Sequence, residues 1–137
     1  MIKENKDGGV SYFHRTFKLG IYPWTVNVIF STDIHATRNS KPFMEYMGDN
    51  PWPNRKSFAF CESIPDNFKT VIFFPYSRKD RKMPSFSIIA HEAFHCMYTI
   101  LEKVGALDSE EAQAYLLEFI VEKIENMVNE IMDFYSK

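Results

Sequence analysis

Two histidines and a glutamate near residue 90 have a spacing that suits metal-dependent hydrolysis. Residues 91–95 read HEAFH, an HExxH pattern. On a helix, side chains four residues apart lie about 5–6 Å from each other at Cβ, so His91 and His95 can bind one Zn²⁺ at about 2.0–2.1 Å per Zn–N bond. The carboxylate of Glu92 would take a proton from a water at the metal and pass it to the leaving group. The pattern therefore predicts a metal-dependent hydrolase; the alternative is two histidines beside an unrelated glutamate.

The HExxH pattern needs a helix, and the surrounding sequence predicts one over residues 85–104. Apolar residues recur there at the i, i+3, i+4, i+7 spacing of one buried face. Ser85 can cap the start of this helix, and Gly105 lies where a left-handed residue ends a helix. His91 and His95 fall outside the apolar stripe. The stripe comprises Phe86, Ile89, Ala90, Ala93, Phe94, Met97, Leu101 and Val104.

A second helix is predicted over residues 109–134, with Asp108 or Ser109 as its cap. Its apolar stripe includes Tyr115, for which core packing is the favoured role. The stripe comprises Ala112, Tyr115, Leu116, Phe119, Ile120, Ile124, Met127, Val128, Ile131 and Met132.

The first half of the chain is predicted to form a small, mostly antiparallel sheet. Polar and apolar residues alternate over 11–19 and 24–31, the period of a half-buried strand. Shorter strands are predicted at 57–61 and 69–74, and a short helix is weakly indicated at 42–47. The sequence therefore predicts an α+β fold in one domain over 1–137, strand-rich over 10–76 and helical over 84–135, in which a helical hairpin follows the sheet.

Composition excludes several classes of protein. The chain has 137 residues, 45% of them hydrophobic and 25% charged, which is typical of a globular domain and not of a disordered one. Apolar runs are far shorter than the roughly 18 residues that cross a bilayer, and the N-terminus lacks the apolar stretch of a signal peptide. We therefore expect a cytoplasmic protein that makes no use of a membrane, with Cys61 and Cys96 as free thiols.

Charge is distributed unevenly along the chain. Residues 1–83 contain 13 Lys and Arg against 8 Asp and Glu, whereas residues 84–137 contain 3 against 10. A basic first half could contact nucleic acid or an acidic partner. The favoured explanation is attraction between two layers of one domain, because no arginine-rich stripe with interleaved aromatics accompanies the excess.

The helical half resembles a known group of enzymes over about residues 85–122. HEAFH followed by EAQAYL at 111–116 resembles the gluzincin branch of the zincin metallopeptidases and, more closely, small HExxH proteins of phages and prophages. The resemblance implies a zincin-like fold, a Zn²⁺ cofactor, a peptide or protein substrate, a bacterial host cytoplasm and Glu111 as the third metal ligand. It also implies that the strand at 69–74 could lie at a sheet edge and bind extended peptide, although ordinary sheet packing is at least as good an expectation for it.

Helix geometry leaves the third ligand open. At 1.5 Å per residue, about ten residues of helix separate His95 from Gly105, and a simple antiparallel return would bring Glu118 level with the histidines. Glu111 also lies three residues after Asp108, where a capping-box carboxylate belongs. Glu111 is the favoured ligand by the resemblance alone, and Glu118 is the alternative.

Two further functions compete with hydrolysis. One is a non-catalytic binding module with a zincin fold, which contacts nucleic acid or a protein partner through the basic first half. The other is a purely structural metal site, whose loss would unfold the chain. The sequence leaves the oligomeric state open.

Overall fold

The computed structural model describes residues 2–40, 43 and 59–137 of the chain. In chain order the elements are β1 (Asn5–Asp7), β2 (Val10–Leu19), β3 (Trp24–Ser31), α1 (Ile34–Arg38), β4 (Phe60–Ile64), a 3₁₀ turn (Pro65–Asn67), β5 (Lys69–Pro75), α2 (Phe86–Val104) and α3 (Glu110–Tyr135).

The five strands form one mixed sheet in the order β1-β2-β3-β5-β4. All neighbouring strands pair antiparallel except β3 and β5, which are parallel, with Val28 opposite Ile72. With the two long helices that follow, this architecture confirms the predicted α+β fold and the mostly antiparallel sheet.

The core lies between the sheet and the two long helices. One face of β3, with Trp24, Val26 and Val28, packs in the same cluster as Met97 and Ile100 of α2 and the stripe of α3 around Ile120. The opposite face of the sheet carries a second cluster, formed by Ile29, Ile34, Phe43, Phe60, Val71 and Phe73. Strands β3 and β5 are therefore buried on both faces, which explains why β5 contains a continuous apolar run instead of alternating residues.

The predicted helices and long strands are confirmed to within about a residue at most ends. Ser85 caps α2 by accepting a hydrogen bond from the Ile88 backbone N–H, and Gly105 ends that helix at φ 76°. The cap of α3 is Ser109, which accepts from the Ala112 backbone N–H. Asp108 is therefore not the cap, and Glu111 is not at the position of a capping-box carboxylate.

Three predictions for the first half need correction or fall outside the described residues. The strand predicted at 57–61 lies at Phe60–Ile64, and the helix predicted at 42–47 lies outside the described residues except for Phe43, which is helical. The strand predicted at 69–74 is not an edge: β5 lies between β3 and β4, and the edge beside α2 is β4. Strand addition to β5 is therefore excluded, because both of its edges are already paired.

Besides the 3₁₀ turn, two elements of the described chain were not predicted. Strand β1 pairs with β2 through Gly8 and Gly9, whose φ angles of 56° and 85° identify a two-residue turn that a side chain would strain. Helix α1 begins at Asp33, whose side chain accepts from the Ala36 backbone N–H. Both are too short to produce a periodic pattern, although the Gly-Gly pair was a usable signal for the hairpin.

The prediction that Tyr115 packs in the core is wrong. Tyr115 is 70% exposed, and Phe119 and Met132 are also exposed. The buried line of α3 is narrower than the stripe in the sequence and consists of Leu116, Ile120, Ile124, Met127 and Ile131. Tyr115 and Phe119 lie at one margin of this line, in an open groove of about 540 Å³ that they share with the β2–β3 turn.

None of the described helices is both long and apolar enough to cross a membrane.

Candidate metal and catalytic site

The two motif histidines lie one above the other on the outer face of α2. Their Nε2 atoms are 3.2 Å apart, and the ring centroids are separated by 4.7 Å with the planes at 76°. Both imidazoles are exposed, and the side chain of His91 is 67% accessible. Helical spacing places the rings on one face, as predicted, and the rotamers turn both Nε2 atoms toward the same point.

The separation of the two nitrogens fits one tetrahedral metal ion. Two ligands at about 2.0–2.1 Å from zinc, with a tetrahedral angle between them, lie about 3.3 Å apart. The observed 3.2 Å between the Nε2 atoms of His91 and His95 is close to that value. Without an ion, the same distance allows one imidazole to donate a hydrogen bond to the other.

Glu92 lies behind the histidines at the boundary between the exposed face of α2 and the core. It is 6% exposed, and its Oε1 atom is 3.9 Å from Nε2 of His91. Burial raises the pKa of the Glu92 carboxyl above its ordinary value, against the opposing effect of His91 and His95. A carboxyl shifted in this direction is a better proton acceptor than an exposed glutamate, as a general base requires.

No third ligand lies beside the histidines in the part of the chain that the structure describes. Among residues 2–40, 43 and 59–137, no group of three or more His, Cys, Asp or Glu side chains is placed to hold a metal ion. Glu111 and Glu118 are exposed on α3. At about 100° per residue they lie roughly 160–180° around α3 from Ile120, which faces the core. Helix α2 also continues to Val104, so it does not end nearer to His95 and bring Glu111, at the start of α3, toward the histidines. Their role as ligand stays a prediction.

Exposed apolar side chains flank the histidines. Ile88, Phe94 and Tyr98, which we call the apolar collar, are 42%, 46% and 43% exposed. The Phe94 ring lies 6.4 Å from His95 and 6.2 Å from Tyr98, measured between centroids. From residue 85 to residue 101 the only charged side chain is Glu92. A clustered, uncharged apolar surface of this kind marks a binding site more often than scattered exposed residues do.

The apolar collar was not predicted from the sequence. Phe94 was assigned to the buried stripe, and in the structure it lies outside the buried line of α2. A signal was present, because Phe94 lies three residues after His91 and four before Tyr98, the spacing of neighbours on a helix surface.

Several arginines of the basic first half are engaged within the fold. Arg15 of β2 pairs with Glu130 of α3, and Arg38 pairs with Glu62 through Nε–Oε2 at 2.8 Å. Arg78 lies 3.1 Å from Glu4. The Arg15–Glu130 pair joins the sheet to the helical layer, which agrees with attraction between two layers of one domain.

The chain was compared with family models, curated proteins and solved structures, and none of them matches it.

Proposed function

We propose that this chain is a zinc-dependent hydrolase of the metallopeptidase type. The observation that carries the proposal is the pair of Nε2 atoms 3.2 Å apart, with the Glu92 carboxylate 3.9 Å from one of them. Two imidazoles with a carboxylate are ligands that suit zinc. His91 and His95 would hold the ion, with Glu111 as third ligand or Glu118 as the alternative. When bound, such an ion polarises a carbonyl and acidifies a water molecule.

Residues of this chain would carry out the proton transfers and bind the substrate. Glu92 accepts a proton from the attacking water at its carboxylate and later donates that proton to the leaving amine. The buried position of Glu92 keeps the carboxylate fixed beside the histidines. The apolar collar contacts apolar side chains of the substrate and excludes water from the reacting bond. We therefore expect extended or unfolded peptides with apolar side chains as substrates.

A third ligand from α3 requires a change in the position of that helix. Glu111 and Glu118 point away from the core, so either would reach the histidines only if α3 turned about its axis or moved relative to α2. An ion held by two imidazoles alone would keep additional waters and bind less tightly. Replacing Glu111 and Glu118 one at a time therefore shows whether either carboxylate binds the ion or whether the two histidines hold it alone.

The first test is metal stoichiometry by elemental analysis of untagged protein. We expect about one zinc per chain in the wild type. His95→Ala should lose it, whereas His35→Ala, at a half-buried histidine of α1, should retain it. Loss in Glu111→Ala or in Glu118→Ala identifies the third ligand. A wild type that takes up no zinc even after incubation with the ion would overturn the proposal.

The second test separates catalysis from binding. Glu92→Gln keeps the size and most of the burial of the side chain, so the fold and the zinc content should survive. Hydrolysis of a broad peptide library should fall by about 10²–10⁴-fold, the usual contribution of a general base. Chelation should remove zinc and leave the helical circular dichroism unchanged; unfolding on chelation would indicate a structural metal instead.

A further inference from the structure

The only two cysteines of the chain, distant in sequence, meet where β4 contacts α2. Cys61 lies in β4 opposite Ile72 of β5. Cys96 lies on the buried face of α2, and Cys61 packs against the core cluster to which Cys96 belongs. The strand and the helix are in contact there, and the side chains of Cys61 and Cys96 lie close enough to interact. Both are free thiols, as the sequence predicted.

We propose that Cys61 and Cys96 are a reversible oxidation site, at which a peroxide converts the two thiols to a disulfide that ties the edge strand β4 to the motif helix α2. This site uses neither His91 nor His95, so it does not depend on the proposed hydrolase activity. It gives a function to a pair of residues that zinc binding and hydrolysis leave unused.

The two thiols differ in access, and this difference sets the order of reaction. Cys96 is fully buried, whereas Cys61 is only partly buried. Peroxide therefore meets Cys61 first, and Cys96 is already in contact to resolve the product. The interaction with Cys96 and burial raise the pKa of the Cys61 thiol well above its ordinary value. Because the thiolate is the reactive form, oxidation at neutral pH is slow, and the pair responds to sustained oxidant instead of traces.

The reaction balances with hydrogen peroxide as the only co-reactant. Cys61 sulfur attacks one peroxide oxygen, the O–O bond breaks, and a sulfenic acid and one water result. Cys96 sulfur then attacks the Cys61 sulfur, the S–S bond forms, and hydroxide leaves and takes up the thiol proton as a second water. The two sulfurs lose two electrons in total, and these reduce the peroxide. A dithiol reductant reverses the bond by thiol–disulfide exchange.

The disulfide should stabilise the folded chain measurably. It closes a loop of roughly 35 residues and so removes conformational freedom from the unfolded state. For a domain of this length the expected rise in Tm is about 10 °C. The loop contains β5, and the bond would hold the edge strand β4 and the motif helix α2 at a fixed distance from each other.

The test is oxidation of the purified full chain with millimolar hydrogen peroxide under native conditions. We expect the intact mass to fall by about 2 Da, a peptide map to join Cys61 to Cys96, and dithiothreitol to restore the original mass. The oxidised protein should melt about 10 °C higher before reduction and not after. Cys61→Ala and Cys96→Ala should each show no such mass loss.

Three results would overturn the inference, and all are measured on the wild type, so they stand even if a variant folds poorly. They are two unreacted thiols after prolonged native oxidation, disulfides between chains only, and a gain of oxygen at Cys61 without the bridge. Zinc content measured in parallel separates this result from the hydrolase proposal. Oxidised and reduced protein should hold equal zinc, because neither cysteine is among the proposed ligands.

Discussion

Glu4 anchors a polar network that joins the N-terminus to the end of α3. Its Oε2 atom accepts hydrogen bonds from the Ser11 hydroxyl at 2.7 Å, the Tyr135 hydroxyl at 2.7 Å and the Arg78 Nε at 3.1 Å. The Glu4 side chain is only 7% exposed. Tyr76 closes the network by contacting the Ser11 and Tyr135 hydroxyls at 2.8 and 3.0 Å. We therefore expect Glu4→Gln to destabilise the protein although Glu4 is only the fourth residue of the sequence.

The size of the effect follows from the three hydrogen bonds. Glutamine retains the shape and an acceptor oxygen but loses the charge, which roughly halves the strength of each bond. With charge-assisted bonds contributing about 1.5–3 kcal/mol each, and part of the loss offset because a neutral amide is easier to bury, the net cost is about 2 kcal/mol. For 137 residues, this cost corresponds to a Tm about 7 °C lower.

The effect should depend on pH in one direction. Burial tends to raise the pKa of Glu4, but the hydrogen bonds from Ser11, Tyr135 and Arg78 outweigh it and hold this pKa below the ordinary value of 4.5. The stabilisation is therefore fully present above pH 4.5 and is lost as pH falls through the lowered pKa of the folded state. In that pH interval the free energy of unfolding of the wild type falls by up to about 1.4 kcal/mol per pH unit relative to that of Glu4→Gln, because the glutamine side chain does not titrate.

Urea unfolding followed by circular dichroism at pH 7, 6, 5 and 4 measures this difference. The free-energy gap between wild type and Glu4→Gln should be constant from pH 7 to 5 and shrink below that. Glu122→Gln, at an exposed carboxylate of α3, is the matched control and should give no gap at any pH. A gap under about 0.5 kcal/mol at pH 7, or one that grows on acidification, would refute the reasoning.

Three further substitutions test the helices that carry and support the site. Ser109→Ala removes the N-cap of α3 and should cost about 1 kcal/mol in urea unfolding. Ser136→Ala, at the exposed C-cap of the same helix, where the hydroxyl donates to the Met132 carbonyl, is the comparison and should cost less. Gly105→Ala should cost about 1 kcal/mol in the free energy of unfolding. The cost comes from backbone strain alone, because φ is 76° and no atom lies within 4 Å of an added Cβ. An unchanged Tm would contradict this explanation by backbone strain. Ile100→Ala, at a fully buried position of α2, should cost about 2–5 kcal/mol, and a smaller loss would mean that the core collapses around the cavity.

Much of the fold was predictable because its signals are local. Alternation over residues 11–19 and 24–31 follows from the two-residue period of a strand, and both strands are present. The start of α2 at Ser85 and its end at Gly105 follow from capping chemistry within one turn. The short elements β1 and α1 escaped prediction, since neither is long enough to repeat a pattern.

The sequence also determined how the three motif residues of the candidate site lie relative to one another. His91, Glu92 and His95 lie within five residues, so the helical step fixes their relative positions wherever α2 lies in the fold. The exposure of His91 and His95 was predictable because both fall outside the apolar stripe, whereas Glu92 between them is buried. Phe94 was misplaced because a stripe defines the centre of a buried face better than its margin.

Only the tertiary structure decided how distant residues meet. Whether Glu111 or Glu118 faces the histidines depends on the rotation of α3 about its axis, which packing of Ile120 against the sheet determines. The same packing leaves Tyr115 exposed, and the parallel pairing of β3 with β5 places β4 at the edge, where Cys61 meets Cys96. A helical or strand period constrains neighbours along the chain, whereas these contacts depend on the sum of many weak packing interactions between elements.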